Sequence, residues 1–393
     1  MQQVFSILVL LCFLPPLSAQ QWDTLPAIPE ALTFPVAAVV DGKIHIMGGG
    51  GTGGATDAHY RFDPETETWE TLAPVPYLAQ QPAGAAVNGM IHYFGGGYPN
   101  SGSPLDDHHI YDPATDTWTQ ATSLTAPRAI HYAVNLDEVL YSLAGQGMAN
   151  LCQIYDPVDE VWITKNNLPD NSFWYGAHVP HNGHIYRFCG GGYTAPVANA
   201  HKYDPGTDTW VVIPSVPNAI HALRGAAIGD EIYLVGGYFN FLDRAEVLIY
   251  DVNTQTYSEG TPLPLGRSYH NLVAVDSCLY VLGGNHAIDQ TVRTQLLRFC
   301  PYEGPSTVEE PRIDHKISTS YYEGMLRLEL PEEIRGDIEL NLYDLTGRLV
   351  FNRSLVNNLG QSLEIRVDGL APAVYFLKIK TEKDFFTSQF AAF

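Results

Sequence analysis

The chain has 393 residues, of which 45% are hydrophobic and only 16% charged, with 35 glycines and a net charge of −22. That length exceeds one ordinary domain, and low charge with abundant glycine fits a turn-rich β protein. Residues 1–300 carry 11 bases against 28 acids and the remainder 10 against 15, so neither part has the basic face that nucleic acid or an anionic membrane requires, and no nucleic-acid partner is expected.

In chain order, residues 1–19 read as a secretory signal. Val4 to Phe13 is an apolar stretch too short to span a bilayer, Pro15-Pro16 breaks it, and Leu17-Ser18-Ala19 offers a small residue at the cut. Cys12 as a lipid anchor is the rival, but Leu10-Leu11 before it lacks the small residues such a site needs. No other run is long and apolar enough to cross a membrane, so no transmembrane segment is expected.

From residue 20 the chain repeats itself. Nearly the same eight residues occur five times, as FDPETETW (Phe62 to Trp69), YDPATDTW (Tyr111 to Trp118), YDPVDEVW (Tyr155 to Trp162), YDPGTDTW (Tyr203 to Trp210) and YDVNTQTY (Tyr250 to Tyr257). Their last aromatics are spaced 49, 44, 48 and 47 residues apart, a period at which each repeat is one four-stranded blade of a β-propeller. The octapeptide reads as strand, turn, strand. Asp-Pro opens the turn through the Asp side chain and the fixed proline φ, and Thr-x-Thr-Trp restarts an extended segment. Upstream of each lies an apolar run ending in glycines, such as IHIMGGG (Ile44 to Gly50) and IHYFGGG (Ile91 to Gly97), and a sixth, LYVLGG (Leu279 to Gly284), follows the last octapeptide. Paired glycines let a backbone leave the sheet where a Cβ would clash. The four Trp residues that end octapeptides are expected to pack between blades.

The order glycine pair, Tyr-Asp-Pro, Trp resembles the kelch repeat over about residues 22 to 300. The sixth repeat has its glycines and a third strand, Gln295 to Cys300, but no Trp after it; Trp22-Asp23-Thr24-Leu25-Pro26, 47 residues before Trp69, supplies that strand from the N-terminus. Residues 20–300 are therefore expected to form six blades closed by the N-terminal strand, which leaves no exposed sheet edge at the seam.

Without the signal, four cysteines remain, Cys152, Cys189, Cys278 and Cys300, with three possible pairings in an exported chain. Cys278 begins the second strand of blade six and Cys300 ends its third, so antiparallel pairing brings these two together, and a Cys278–Cys300 disulfide is expected. Cys152 and Cys189 read as buried small hydrophobes.

Residues 301–318 are rich in Pro, Glu and Ser, a linker composition. Residues 319–393 carry short alternating strands that suggest a small β-sandwich, and the segments YDLTGRLV (Tyr343 to Val350) and LAPAVYFLKI (Leu370 to Ile379) resemble the C-terminal sorting domain of the type IX (Por) secretion system. The resemblance implies passage across an outer membrane, with the secretion machinery as partner, and a protein secreted from, or held on the surface of, a Gram-negative-type bacterium. The fold class expected is all-β: a six-bladed kelch β-propeller followed by a small C-terminal β-sandwich.

The chemistry-bearing residues point away from a compact catalytic motif. There is no Gly-x-Ser-x-Gly, phosphate loop or Cys-x-x-Cys, and the repeated Asp of Tyr-Asp-Pro is a turn former. His131 and His270 each follow an arginine by three residues, with His178 and His221 in corresponding stretches, but these spacings match no metal-ligand motif; no metal and no cofactor are expected. Loops between strands 2 and 3 and between strands 4 and 1 share one rim of a propeller and differ from repeat to repeat, which is where recognition is carried. They contribute Tyr98, Phe173, Trp174, Tyr175, Tyr193, Tyr238, Phe239, Phe241 and His286, with Arg128, Arg224 and Arg267 placed near the channel mouth. Exposed aromatics with a few arginines suit a glycan or a protein surface. The reading is a monomeric, exported protein- or glycan-binding module, with Trp174 as the leading contact. The alternative is a carbohydrate-active enzyme of kelch-propeller type, a sugar epimerase, mutarotase or lyase, acting at the same mouth.

Overall fold

The computed structural model describes residues 21–98, 103–146, 150–169, 174–192, 195–240, 242–286, 291–301, 318–322, 324–330, 336–343, 349–358, 362–367, 370, 373–380 and 385–392. The expected signal at 1–19 and nearly all of the expected linker, 302–317, lie outside these residues, as do Phe173, Tyr193 and Phe241. Two compact units divide the chain, residues 1–305 and 306–393.

The octapeptide folds as its residues dictate. In blade two the Asp112 carboxylate accepts the amide of Ala114 at 2.8 Å and the hydroxyl of Thr115 at 3.0 Å, Thr115 and Thr117 share a hydroxyl hydrogen bond at 2.8 Å, and Asp116 takes φ 54° to reverse the chain. This sets Tyr111 opposite Trp118 across the hairpin, with ring centroids 5.0 Å apart. Blade four repeats the arrangement through Asp204, Thr207, Thr209 and Asp208, with Tyr203 and Trp210 also 5.0 Å apart.

Six four-stranded antiparallel sheets result. Their innermost strands are Val36–Val40, Ala83–Val87, Tyr132–Leu136, Ala177–His181, Arg224–Ile228 and Asn271–Val275, each packed beside the next and the sixth beside the first. The first unit is thus a six-bladed propeller, and its core lies between blades, as in the cluster of Val36, Met47, Ile91, Tyr93 and Tyr111 from blades one and two. Blade six takes its outer strand, Asp23–Leu25, from the N-terminus; it pairs antiparallel with Leu296–Phe299 in the register Asp23 to Arg298. Trp22 stacks on Phe299 at 5.1 Å, and Arg298 bridges Asp23 at 3.3 Å and Glu67 of blade one at 3.2 Å. A disulfide joins Cys278 and Cys300 across the second and third strands of the same blade, and Cys152 and Cys189 are free thiols, both buried.

The outer aromatics, all on the outermost strands of their blades, are less enclosed than expected: Trp162 is buried, whereas Trp69, Trp118 and Trp210 are half-buried. What they do instead is latch blades together. Trp69 Nε1 donates to the carbonyl of Pro26, Trp118 to Ala73, Trp162 to Thr122, Trp210 to Asn166 and Trp22 to Thr261, at 2.9 to 3.3 Å, while Tyr257 replaces the indole and donates its hydroxyl to Pro214 at 2.7 Å. Every blade thereby holds a carbonyl of the blade before it.

The second unit has a three-stranded sheet (Ser318–Tyr322, Met325–Glu329, Ser362–Arg366) and a four-stranded sheet (Leu349–Asn358, Gly336–Tyr343, Ala373–Lys380, Phe385–Ala392). Leu326, Leu328 and Ile365 of the first and Leu340, Leu342, Leu377 and Ile379 of the second belong to one buried cluster. No helix among the described residues is long and apolar enough to cross a membrane.

Candidate functional site

One rim is built by pairing the strand 4–1 connections with the strand 2–3 connections, through bridges Thr33 to Gly50, Gln80 to Gly97, Ala129 to Gln146, His221 to Tyr238 and Ser268 to Asn285. Its inner edge is a ring of residues with positive φ, one per blade: Phe34, Gln81, Ile130, Tyr175, Ala222 and Tyr269, between 52° and 59°. Left-handed backbone at such residues carries strain, offset here by hydrogen bonds between blades. Phe34 N donates to Tyr269 O at 3.0 Å, Ile130 N to Gln81 O at 3.3 Å and Ala222 N to Tyr175 O at 2.7 Å. The turn that produces this conformation throws three aromatics over the axis. Phe34 and Tyr175, from opposite blades, have centroids 6.1 Å apart, and Tyr269 fills the remainder at 4.3 Å from Phe34 and 5.5 Å from Tyr175. The mouth on this rim is plugged.

The expected contact residues separate into three groups. Tyr98 and Phe239 are exposed, 53% and 43%, with Leu242 beside Phe239 at 47%. Tyr175, Trp174 and Tyr238 belong to the plug: Tyr175 is buried, Trp174 and Tyr238 are half-buried against the same cluster, and Tyr238 faces His221 at 4.9 Å. His286 sits on the short strand Asn285–His286 paired with Thr291–Val292.

The arginines also separate. Arg128 and Arg267 are not mouth residues but buried struts, 0% and 1% exposed, donating to the side-chain carbonyls of Gln153 and Gln295. Desolvation lowers each to about 10, so both remain charged at neutral pH. Their backbone explains the glycine pairs. Gly96 N donates to Arg128 O at 2.8 Å and Gly237 N to Arg267 O at 2.9 Å, while a Cβ on Gly95 would fall 2.4 Å from the His131 ring. Arg-x-x-His and Gly-Gly are two halves of one contact between blades.

Arg224 differs, because it lines the channel. Behind the plug the inner strands enclose about 430 Å3, walled largely by small residues such as Ala37, Ala85, Ala133, Gly225 and Ala227. Among the described residues Arg224 is the one charged side chain lining it, and a recess of about 30 Å3 under the plug brings together Arg224, His131 and Tyr132. Tyr132, which sequence reasoning missed, lies under the Arg224 guanidinium at 5.8 Å and stacks on His178 at 4.2 Å. Its only sequence mark was its place directly after His131. At the far end the strand 1–2 turns carry Asp41, Asp137, Glu138, Asp230 and Asp276. Among the described residues no cluster of three metal-ligating side chains occurs.

Two family models match the chain: the KLHDC2/KLHL20/DRC7 Kelch-repeats domain over residues 9–145, and the secretion system C-terminal sorting domain over residues 322–391. Among curated proteins, kelch-like protein 23 of Homo sapiens is 34% identical over 100 residues, covering 24% of this chain and 18% of that protein. Kelch-like protein 26 of Danio rerio is 26% identical over 142 residues (36% and 23%), and alpha-scruin of Limulus polyphemus 27% identical over 200 residues (45% and 21%). The chain thus spans less than a quarter of the length of these relatives. The solved structure of YjhT superposes with a TM-score of 0.63 at 17% identity, covering 69% of this chain and 95% of YjhT, a likeness of fold. Repeat, blade count and tail agree: the chain carries a kelch-type repeat folded as a six-bladed β-propeller, followed by a C-terminal segment that matches the secretion system sorting domain.

Proposed function

We propose that the propeller is an exported binding module for a protein or glycan chain, held by the plugged rim and delivered to the medium or the outer cell surface of a Gram-negative-type bacterium by its sorting domain. The signal read at residues 1–19 serves the first membrane crossing and the sorting domain the second. The observation that carries the binding role is the exposure of Tyr98 on blade two and of Phe239 and Leu242 on blade five. These blades are opposite one another, so a ligand touching both spans the closed mouth, which suits an extended partner better than a small molecule. Apolar side chains held out on a rigid scaffold, away from the packed plug, are the form of a binding hot spot. The experiment is a glycan array and an affinity capture from surface extracts with the full chain, repeated with the Tyr98→Ala/Phe239→Ala double variant. Loss of about tenfold or more in affinity at unchanged melting temperature is expected, as for two truncated hot-spot residues. Binding untouched by the double variant removes the rim from the reading, and turnover of a bound sugar replaces the binding module with an enzyme.

A further inference from the structure

Buried arginines in this fold are given partners. Arg128 and Arg267 reach glutamine side chains, and Arg187 contacts His201 at 3.2 Å. Arg224, half-buried on the channel, has no such side-chain carbonyl among the described residues. One guanidinium nitrogen donates to the carbonyl of Leu223 at 3.2 Å and its face covers the Tyr132 ring, but among the described residues no carboxylate pairs with it. Five N–H donors in a planar fork are thus only partly used. One imidazole, His178, lies with it along the channel, stacked on Tyr132, and neither of its ring nitrogens has a hydrogen-bond partner among the described residues. A buried polar group without a partner costs stability unless something else satisfies it.

We propose that the plugged end of the channel is a binding site for a small carboxylate, received by the Arg224 guanidinium with Tyr132 and His178 around it. The guanidinium fork matches a carboxylate in two parallel hydrogen bonds. Burial holds His178 well below the usual histidine range, and the charges of Arg187 and Arg224 push the same way, so it is neutral at pH 7 and offers one donor and one acceptor. Arg224 is the one charge that lines the space, with Arg187 acting on His178 and Tyr132 from behind it, so the site favours an anion, and the planar fork suits a carboxylate. A metal ion at the imidazole is opposed by Arg224 itself. The acids on the far turns oppose a polyanion entering from that end, and a space of about 430 Å3 admits a molecule of monosaccharide size. The site is distinct from the rim, and either stands if the other fails.

The test is calorimetric titration and thermal shift on the full chain with D-glucuronate, acetate, D-glucose and inorganic phosphate. Saturable binding of the two carboxylates with a raised melting temperature is expected, with none for glucose. Arg224→Gln should weaken glucuronate by about 10- to 100-fold, the worth of a charge-assisted hydrogen bond, while the rim double variant leaves it unchanged. No saturable binding of either carboxylate, equal binding of glucose, tighter binding of phosphate, or full affinity in Arg224→Gln each overturns the proposal. If that variant does not fold, Arg224→Lys carries the test, since it keeps the charge and loses the fork; wild-type affinity there overturns it equally.

Discussion

His59 shows how much one side chain can be required to do. Its Nδ1 lies 3.0 Å from the carbonyl of Ala73, which only accepts, so Nδ1 carries the hydrogen and Nε2 must accept from His45 Nδ1 at 3.0 Å. His108 is held in the same way by the carbonyl of Thr122 and by His92. Both carbonyls also receive a tryptophan, Trp118 and Trp162, so each imidazole pair is wired into a blade latch. A proton added to Nε2 of His59 or His108 would set N–H against N–H, and one added to Nε2 of His45 or His92 would place a charge in a dry site. Burial lowers His45 and His92 to about 3 and His59 and His108 to about 4. The unfolded chain, with ordinary histidines near 6.5, therefore binds protons that the folded one refuses. Stability is full above about pH 6.5 and falls as pH drops toward 4, with a slope of about 1.4 kcal/mol per pH unit for each such histidine. Denaturant midpoints measured between pH 7.5 and 4 should show this decline, and His92→Gln/His108→Gln should make it shallower, since His45 and His59 remain; a midpoint independent of pH over that range contradicts the wiring.

At the scale of the element, the seam in blade six decides whether the ring closes. Trp22 and Leu25 are 8% and 7% exposed, and burying each is worth about 1.5–3 kcal/mol. Deleting Gln21 to Pro26 forfeits both, leaves Arg298 without Asp23, and bares the third strand of the blade as an unpaired edge. The Cys278–Cys300 disulfide holds the two strands inside that edge but supplies no fourth strand. The truncated protein should melt several degrees lower and aggregate with the new edge exposed; an unchanged melting temperature would mean that closure contributes nothing.

For the whole molecule, the division at residue 305 predicts separable parts. A chain stopped at Pro305 retains every blade, including both partners of the seam, so it should fold with the melting temperature of the propeller in the full chain. Lacking the sorting domain, it should accumulate in the periplasm, which fractionation with an antibody to the propeller would detect. Arrival of this shortened protein at the surface or in the medium would assign the last ninety residues or so another role.

Fold and blade count were legible because each repeated residue has a local task. Asp112 makes its turn with residues two and three positions on, and Gly96 accepts the positive φ of 93° that lets the strand turn out of the sheet. Such tasks recur wherever the same letters recur, so counting letters counts blades, and the stray strand at Trp22 is recognised by its likeness to Trp69. Exposure and pairing are different in kind. Tyr98 and Tyr175 are both loop tyrosines, yet one is open to solvent and the other lies under Phe34 from the opposite blade. Arg128 and Arg267 stand two residues before the positive-φ position of their repeats, where Gln153 and Gln295, each more than twenty residues away, receive them, whereas Arg224 stands two residues after it, in the place that Tyr132 takes in blade three, and so faces the channel. The sequence alone determined the scaffold, because hydrogen bonds within a turn are set by adjacent residues. The tertiary structure decided which side chains remain available to a ligand, because availability depends on what the ring brings against them.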